Sequence, residues 1–233
     1  MANELVSFEG FSLPCVDVDS LTTTGGGGTF RKRLQLVSSG KLVNSGKVVP
    51  GNFIIPSDDD VEILGTKIVI IPLAMRDKAL DTNSDQSIVN FDPKSTEFKR
   101  IVEASEANSG QGYMYGPSLL CFEQSTGNFL EYFMMNASAR SEADVVKPFL
   151  PISRELAEAK GVKPQGAQPV TLSSKLVTNK KNQSWYVPKI RASSETFDNI
   201  PSPQVFVDEI LKFYNEKSTE IEKVEAVDGK RKR

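Results

Sequence analysis

No stretch constrains the fold of this chain more than the run from Val61 to Leu73, with Ile68-Val69-Ile70-Ile71 at its heart. β-Branched side chains lose rotamer freedom in a helix and pack readily on a pleated surface. The run is short, and the polar turn Ser57-Asp58-Asp59-Asp60 precedes it. It therefore predicts a buried strand rather than a helix. The polar segment that follows, Arg76 to Gln86, reads as a loop.

A buried strand needs partners. From Phe30 to Pro56 the pattern is β: Leu34 and Leu36 alternate with polar neighbours, and Pro50-Gly51 marks a tight turn. Ser118 to Phe122 and Phe129 to Met135 flank a Ser-Thr-Gly-Asn turn, which predicts a hairpin. Val170 to Val177 and Ser184 to Ile190 predict a second hairpin around Asn179-Lys180-Lys181-Asn182. Helical spacing is confined to three regions. Ser95 caps the first, which runs to Ala107. The second, Ser141 to Lys160, is interrupted at Pro148 and Pro151. In the third, Pro201 to Val224, the residues Val207, Ile210, Leu211 and Tyr214 share a face. The sum predicts a β-rich α+β fold, an OB-like small barrel with helical insertions and a C-terminal helix.

The same signals organise the chain. Residues 1–28 form an N-terminal segment ending in the flexible run Gly25-Gly26-Gly27-Gly28; residues 29–224 form one β-rich domain; residues 225–233 form a basic, disordered tail. At 233 residues, 39% hydrophobic and 25% charged, the chain can build a real core. No apolar run reaches the roughly 18–20 residues of a membrane helix. Met1 to Gly10 lacks the basic, apolar pattern of a signal peptide. The expectation is a cytoplasmic protein, in the host cytoplasm if the chain is viral. Cys15 and Cys121 read as ordinary buried thiols.

The absence of histidine removes several chemistries at once: His-based acid–base catalysis, Ser-His and Cys-His nucleophiles, and His metal sites. Gly40-Lys41 is followed by Leu42 and Gly46-Lys47 by Val48, so neither makes a phosphate-binding loop. Asp58-Asp59-Asp60, or Asp81 with Asp85, could hold magnesium, but acidic triplets also suit solvated turns. The expectation is a protein that is not an enzyme, with no cofactor and no metal.

The net charge of −2 hides separate zones. From Val170 to Ala192 there are five basic residues, Lys175, Lys180, Lys181, Lys189 and Arg191, and no acidic one. The only tryptophan, Trp185, lies beside Tyr186 within that stretch. Strand alternation puts the two rings on opposite faces, one toward the core and one toward solvent with the lysines. Cations that track phosphates beside a ring that stacks on bases are what single strands require. Core packing explains such a pair equally well. Tyr113 and Tyr115, in a glycine-rich stretch, and Arg31-Lys32-Arg33 complete the candidate nucleic-acid-binding set.

Three stretches resemble bacteriophage-type single-stranded DNA-binding proteins. They are Arg33-Leu34-Gln35-Leu36-Val37 through Phe53, Gly116-Pro117-Ser118-Leu119-Leu120 with its Thr126-Gly127 turn, and the Lys180-Lys181 hairpin ending in Trp185-Tyr186-Val187-Pro188. The resemblance implies an OB-fold without catalysis, acting in DNA replication or recombination on single-stranded DNA and on partner replication or recombination proteins. It allows a homo-oligomer. The chain departs from the acidic tail of many such proteins by ending in Lys230-Arg231-Lys232-Arg233. The competing reading is a viral structural or assembly protein that binds no nucleic acid. A magnesium nuclease using the Asp clusters is the third.

Overall fold

The computed structural model describes residues 31–57, 60–83, 87–107, 111–195, 200–216 and 218. In chain order its elements are β1 (Arg33–Leu36), α1 (Lys41–Asn44), β2 (Phe53–Pro56), β3 (Val61–Gly65), β4 (Lys67–Asp81), β5 (Ile88–Asn90) and α2 (Thr96–Ala107). There follow β6 (Tyr113–Glu123), β7 (Asn128–Phe133), α3 (Ala137–Val146), α4 (Arg154–Lys160), β8 (Val170–Thr178), β9 (Ser184–Ala192) and α5 (Pro203–Asn215). The chain is thus β-rich α+β. The tetraglycine, Cys15, Asp58, Asp59, Asp85 and the basic tail lie outside the described residues.

The apolar run divides in two. Gly65, at φ 94°, turns the chain between β3 and β4, a conformation that L side chains resist. Strand β4 then continues far past the run. It spans 15 residues and takes in Arg76 to Asp81, which the sequence marked as loop. Asp77 faces solvent, and the three buried charges are each paired: Arg76 with Glu216, Lys78 with Glu131, and Asp81 with Arg100. Within the β-patterned stretch from Phe30 to Pro56, the turn signals at Ser38-Ser39-Gly40-Lys41 and Asn44-Ser45-Gly46-Lys47 flank a short helix, Lys41–Asn44.

The sheet has the order β3-β2-β1-β7-β6-β4-β8-β9, with β5 on the far end of β4. All neighbours are antiparallel except β1 and β7. Consecutive residues of β4 serve opposite faces. Ile68 and Ile70 join Leu119, Leu130, Leu172 and Ile190 under α3, whose Ala139, Ala143 and Val146 complete that layer. Val69 and Ile71 join Leu120 and Phe122 under α5. The strand is therefore buried on both sides, which its continuous apolar composition requires. On α5 the buried stripe is Phe206, Val207, Ile210 and Phe213, while the expected Leu211 is 36% exposed. The stripe is rotated because Phe122 and Phe129 pack edge-on against Phe206.

The closed barrel expected from the turn spacing does not form; the sheet ends openly at β3 and β9. The outer edge of β9 explains why. Its Tyr186 N–H donates to Ser38 Oγ at 3.0 Å and its Ile190 N–H to Glu142 at 3.0 Å. Pro188, between them, has no N–H. No ladder can be built on an edge whose donors are capped or missing. Cys121 is a free, fully buried thiol, and burial pushes its pKa up.

Candidate functional site

Strands β1 and β7 are parallel neighbours for only two register pairs, Arg33 with Glu131 and Leu34 with Tyr132. They then part. β1 turns away to pair with β2, while β7 runs through Met134 toward α3. The gap at their C-terminal ends opens a cleft of about 470 Å³, which β9 borders with Trp185, Tyr186 and Pro188. That volume lies in the ordinary range for a ligand site, roughly 300–1,000 Å³.

Tyr186 is held from two sides. Ser38 Oγ accepts its N–H and donates to its carbonyl at 3.2 Å. Its ring rests on the Pro50-Gly51 turn: a Cβ on Gly51, at φ 90°, would stand 2.6 Å from Tyr186 Cε1. Only glycine admits the ring there. Trp185 and Tyr186 sit opposite Val177 and Leu176, so they belong to opposite faces of the β8–β9 ribbon. Both nonetheless line the cleft, and both are half-buried, so neither is committed to the core. The ribbon's own position accounts for this. β8 pairs with β4 only from Val170 to Ser173, and beyond Ser174 the two strands extend as an arm. Asn179 shapes its tip by accepting the N–H groups of Lys181 and Gln183, with Asn182 at φ 58°. Leu176, on the arm, is 52% exposed.

The cleft also touches an ion pair. Lys78 on β4 donates to Glu131 Oε1 on β7, and Ser118 Oγ on β6 donates to the same oxygen at 2.6 Å. The side chains of Lys78 and Glu131 are only 6% and 5% exposed. Burial alone would raise the Glu131 carboxyl. Lys78, Ser118 and Arg76 together outweigh burial and hold it below the usual carboxylate range. It is thus an ionised acceptor at neutral pH. Sequence reasoning missed this pair. The available signals were a lone Glu131 inside an aromatic hairpin and the alternation Arg76-x-Lys78, which is strand-like.

The expected site residues are dispersed. Of Arg31-Lys32-Arg33, only Arg33 lines the cleft. Lys32 is exposed and donates to Asn128, and Arg31, with a side chain 7% exposed, pairs with Glu209 of α5. Tyr113 and Tyr115 alternate with Met114. Met114 and its neighbour Leu80 line the cleft, whereas the tyrosines pack toward α2 with Ala79 and Ile101. Arg100 lies 5.7 Å over the Tyr113 ring and Arg140 lies 4.3 Å over the Tyr115 ring. Tyr115 also donates to Glu106, and this bond, with burial, pushes its hydroxyl up. Lys189 is paired with Glu142. Lys175, Lys180, Lys181 and Arg191 are exposed on the ribbon, and Lys175 and Arg191 share the face of Trp185.

Among the described residues, no group of three or more Cys, Asp or Glu is placed to hold a metal, and no helix is long and apolar enough to cross a membrane. No protein-family model, curated protein or solved structure matches the chain.

Proposed function

We propose that this chain is a non-catalytic single-stranded DNA-binding protein of a replication or recombination system, and that it holds the strand at the cleft between β1 and the β8–β9 arm. The observation that carries the reading is the pair of half-buried rings, Trp185 and Tyr186, on one cleft with Arg33. A ring with an open face stacks on a base for about 1–3 kcal/mol whatever the base. Lys175 and Arg191 on the Trp185 face, with Lys180 and Lys181 at the arm's tip, supply exposed cations for the backbone. Phosphate neutralisation makes such binding steeply salt-dependent and largely indifferent to sequence. In fold terms the reading treats the sheet as an OB-like variant whose barrel is left open at β9.

The test is a fluorescence titration of the single tryptophan with oligo-dT of about 30 residues at two salt concentrations, with duplex DNA as control. Quenching by the single strand that weakens with salt supports the proposal. Absence of binding at low salt refutes it. A concentration-dependent oligomer that ignores DNA would favour an assembly protein instead.

A further inference from the structure

We propose that the cleft reads one base of the bound strand, and that the base is guanine, recognised by Glu131 and Lys78. The inference rests on the strand-binding reading and adds to it a chemical preference at one position.

An ionised carboxylate has about four acceptor sites and no donor. Two of those on Glu131 are used, both on Oε1, by Lys78 Nζ and Ser118 Oγ. Among the described residues no donor is bonded to Oε2, and Oε2 is not among the buried atoms left without a partner. It therefore keeps some exposed surface, and Glu131 lines the cleft. Lys78 in turn spends one of its three N–H groups on Oε1 and also lines the cleft. The floor thus offers a cationic donor next to a carboxylate with free acceptor sites, held in place by near-complete burial.

Because both free acceptor sites lie on Oε2, the complement is a base edge with a carbonyl for Lys78 and two adjacent N–H groups that converge on that one oxygen. Guanine has that edge: O6, then N1–H, then N2–H. Thymine offers one N–H between two carbonyls, so its second carbonyl would face the carboxylate. Adenine and cytosine put a ring nitrogen acceptor next to their amino group, again opposing Oε2. Because Glu131 is buried and ionised, a base that sets an acceptor against its Oε2 costs affinity that solvent cannot restore. The Watson–Crick edge is free for such contacts only in an unpaired strand.

The experiment uses the full chain and four dT oligonucleotides of about 12 residues, each with one central G, A, C or T, followed by Trp185 fluorescence. The G-containing strand is expected to bind about tenfold more tightly or better, the worth of one well-made pair of base contacts. Replacing that G by hypoxanthine, which lacks the N2 amino group, should remove most of the gain, while 7-deazaguanine should keep it. In Glu131→Gln the ratio between the G and T strands should fall toward one. Equal affinity for all four strands, preference for another base, or a gain that survives hypoxanthine overturns the inference and leaves the strand-binding reading standing. No binding to any strand overturns both. The wild-type comparison decides the matter even if the variant does not fold.

Discussion

Two pairs of aromatic residues, Tyr113 with Tyr115 and Trp185 with Tyr186, were both candidates for stacking on a base, although only the second has lysines beside it in the sequence. Their surroundings have little in common. The tyrosines of β6 face α2, and Arg100 and Arg140 sit over their rings. The rings of β9 border a cleft in which the nearest buried cation, Lys78, is already committed to Glu131. A ring whose face is taken by a guanidinium gains cation–π stabilisation and loses the surface on which a base would stack. What separates the two pairs is which cation their tertiary neighbours bring, and where that cation's own charge is satisfied.

The comparison breaks most sharply at its ion pairs. Glu131→Ala strands Lys78 in the interior and is expected to cost about 3–5 kcal/mol. Glu97→Ala removes a half-exposed partner of Arg100 near Tyr113 and should cost no more than about 0.5 kcal/mol. Urea midpoints with unchanged slopes would measure both. The deep pair has a pH signature as well. Glu131's folded pKa lies below its unfolded value, so its stabilisation is complete above the usual carboxylate range and is lost as pH falls through the folded value. Asp81, held low by Arg100 and Asn83 against burial, has the same sign. A urea midpoint that stayed flat down to about pH 3 would contradict both assignments.

A smaller effect tests how Tyr186 is held. Gly51→Ala combines a positive φ with a Cβ 2.6 Å from the ring and should cost about 2 kcal/mol or more. Gly127→Ala, at φ 66° with nothing within 4 Å, isolates the backbone contribution at about 1 kcal/mol. Equal melting-point losses would mean that the ring yields freely. Next come the rings themselves. Trp185→Ala and Tyr186→Ala should each weaken binding of oligo-dT by about 1–3 kcal/mol, whereas Tyr113→Ala and Tyr115→Ala should leave it unchanged and lower stability instead. Anisotropy titrations with labelled dT would separate the two pairs, and equal losses would erase the distinction drawn between them. The mildest change is Arg33→Ala, which should reduce the slope of log affinity against log salt by about one. An unchanged slope would remove Arg33 from the phosphate path.

Much of the fold could be read from local pattern. The β6–β7 and β8–β9 hairpins, the Ser95 cap that accepts the Phe98 N–H, and the proline-started α5 all follow from turn chemistry and periodicity. The extension of β4 through Arg76-Asp77-Lys78 could not be read in that way. Charged residues mark a loop unless a counter-charge distant in sequence reaches them, and Glu131 and Glu216 are 53 and 140 residues away from theirs. The site was legible in the same partial way. Trp185, Tyr186 and Arg33 stand at one cleft, while Arg31 and Lys189 are drawn into ion pairs with helices that no local pattern places beside them.

By itself the sequence determined a buried strand at Ile68-Val69-Ile70-Ile71, because β-branched residues at consecutive positions can be satisfied only between two apolar layers. The edge at β9, where Pro188 leaves no N–H for a further ladder, emerged only with the fold. Only the tertiary structure decided that β1 and β7 part after two residue pairs, that the parting opens a cleft, and that Lys78 and Glu131 meet there. Hydrophobic periodicity acts between neighbours in the chain. Charge satisfaction acts across whatever distance folding has closed.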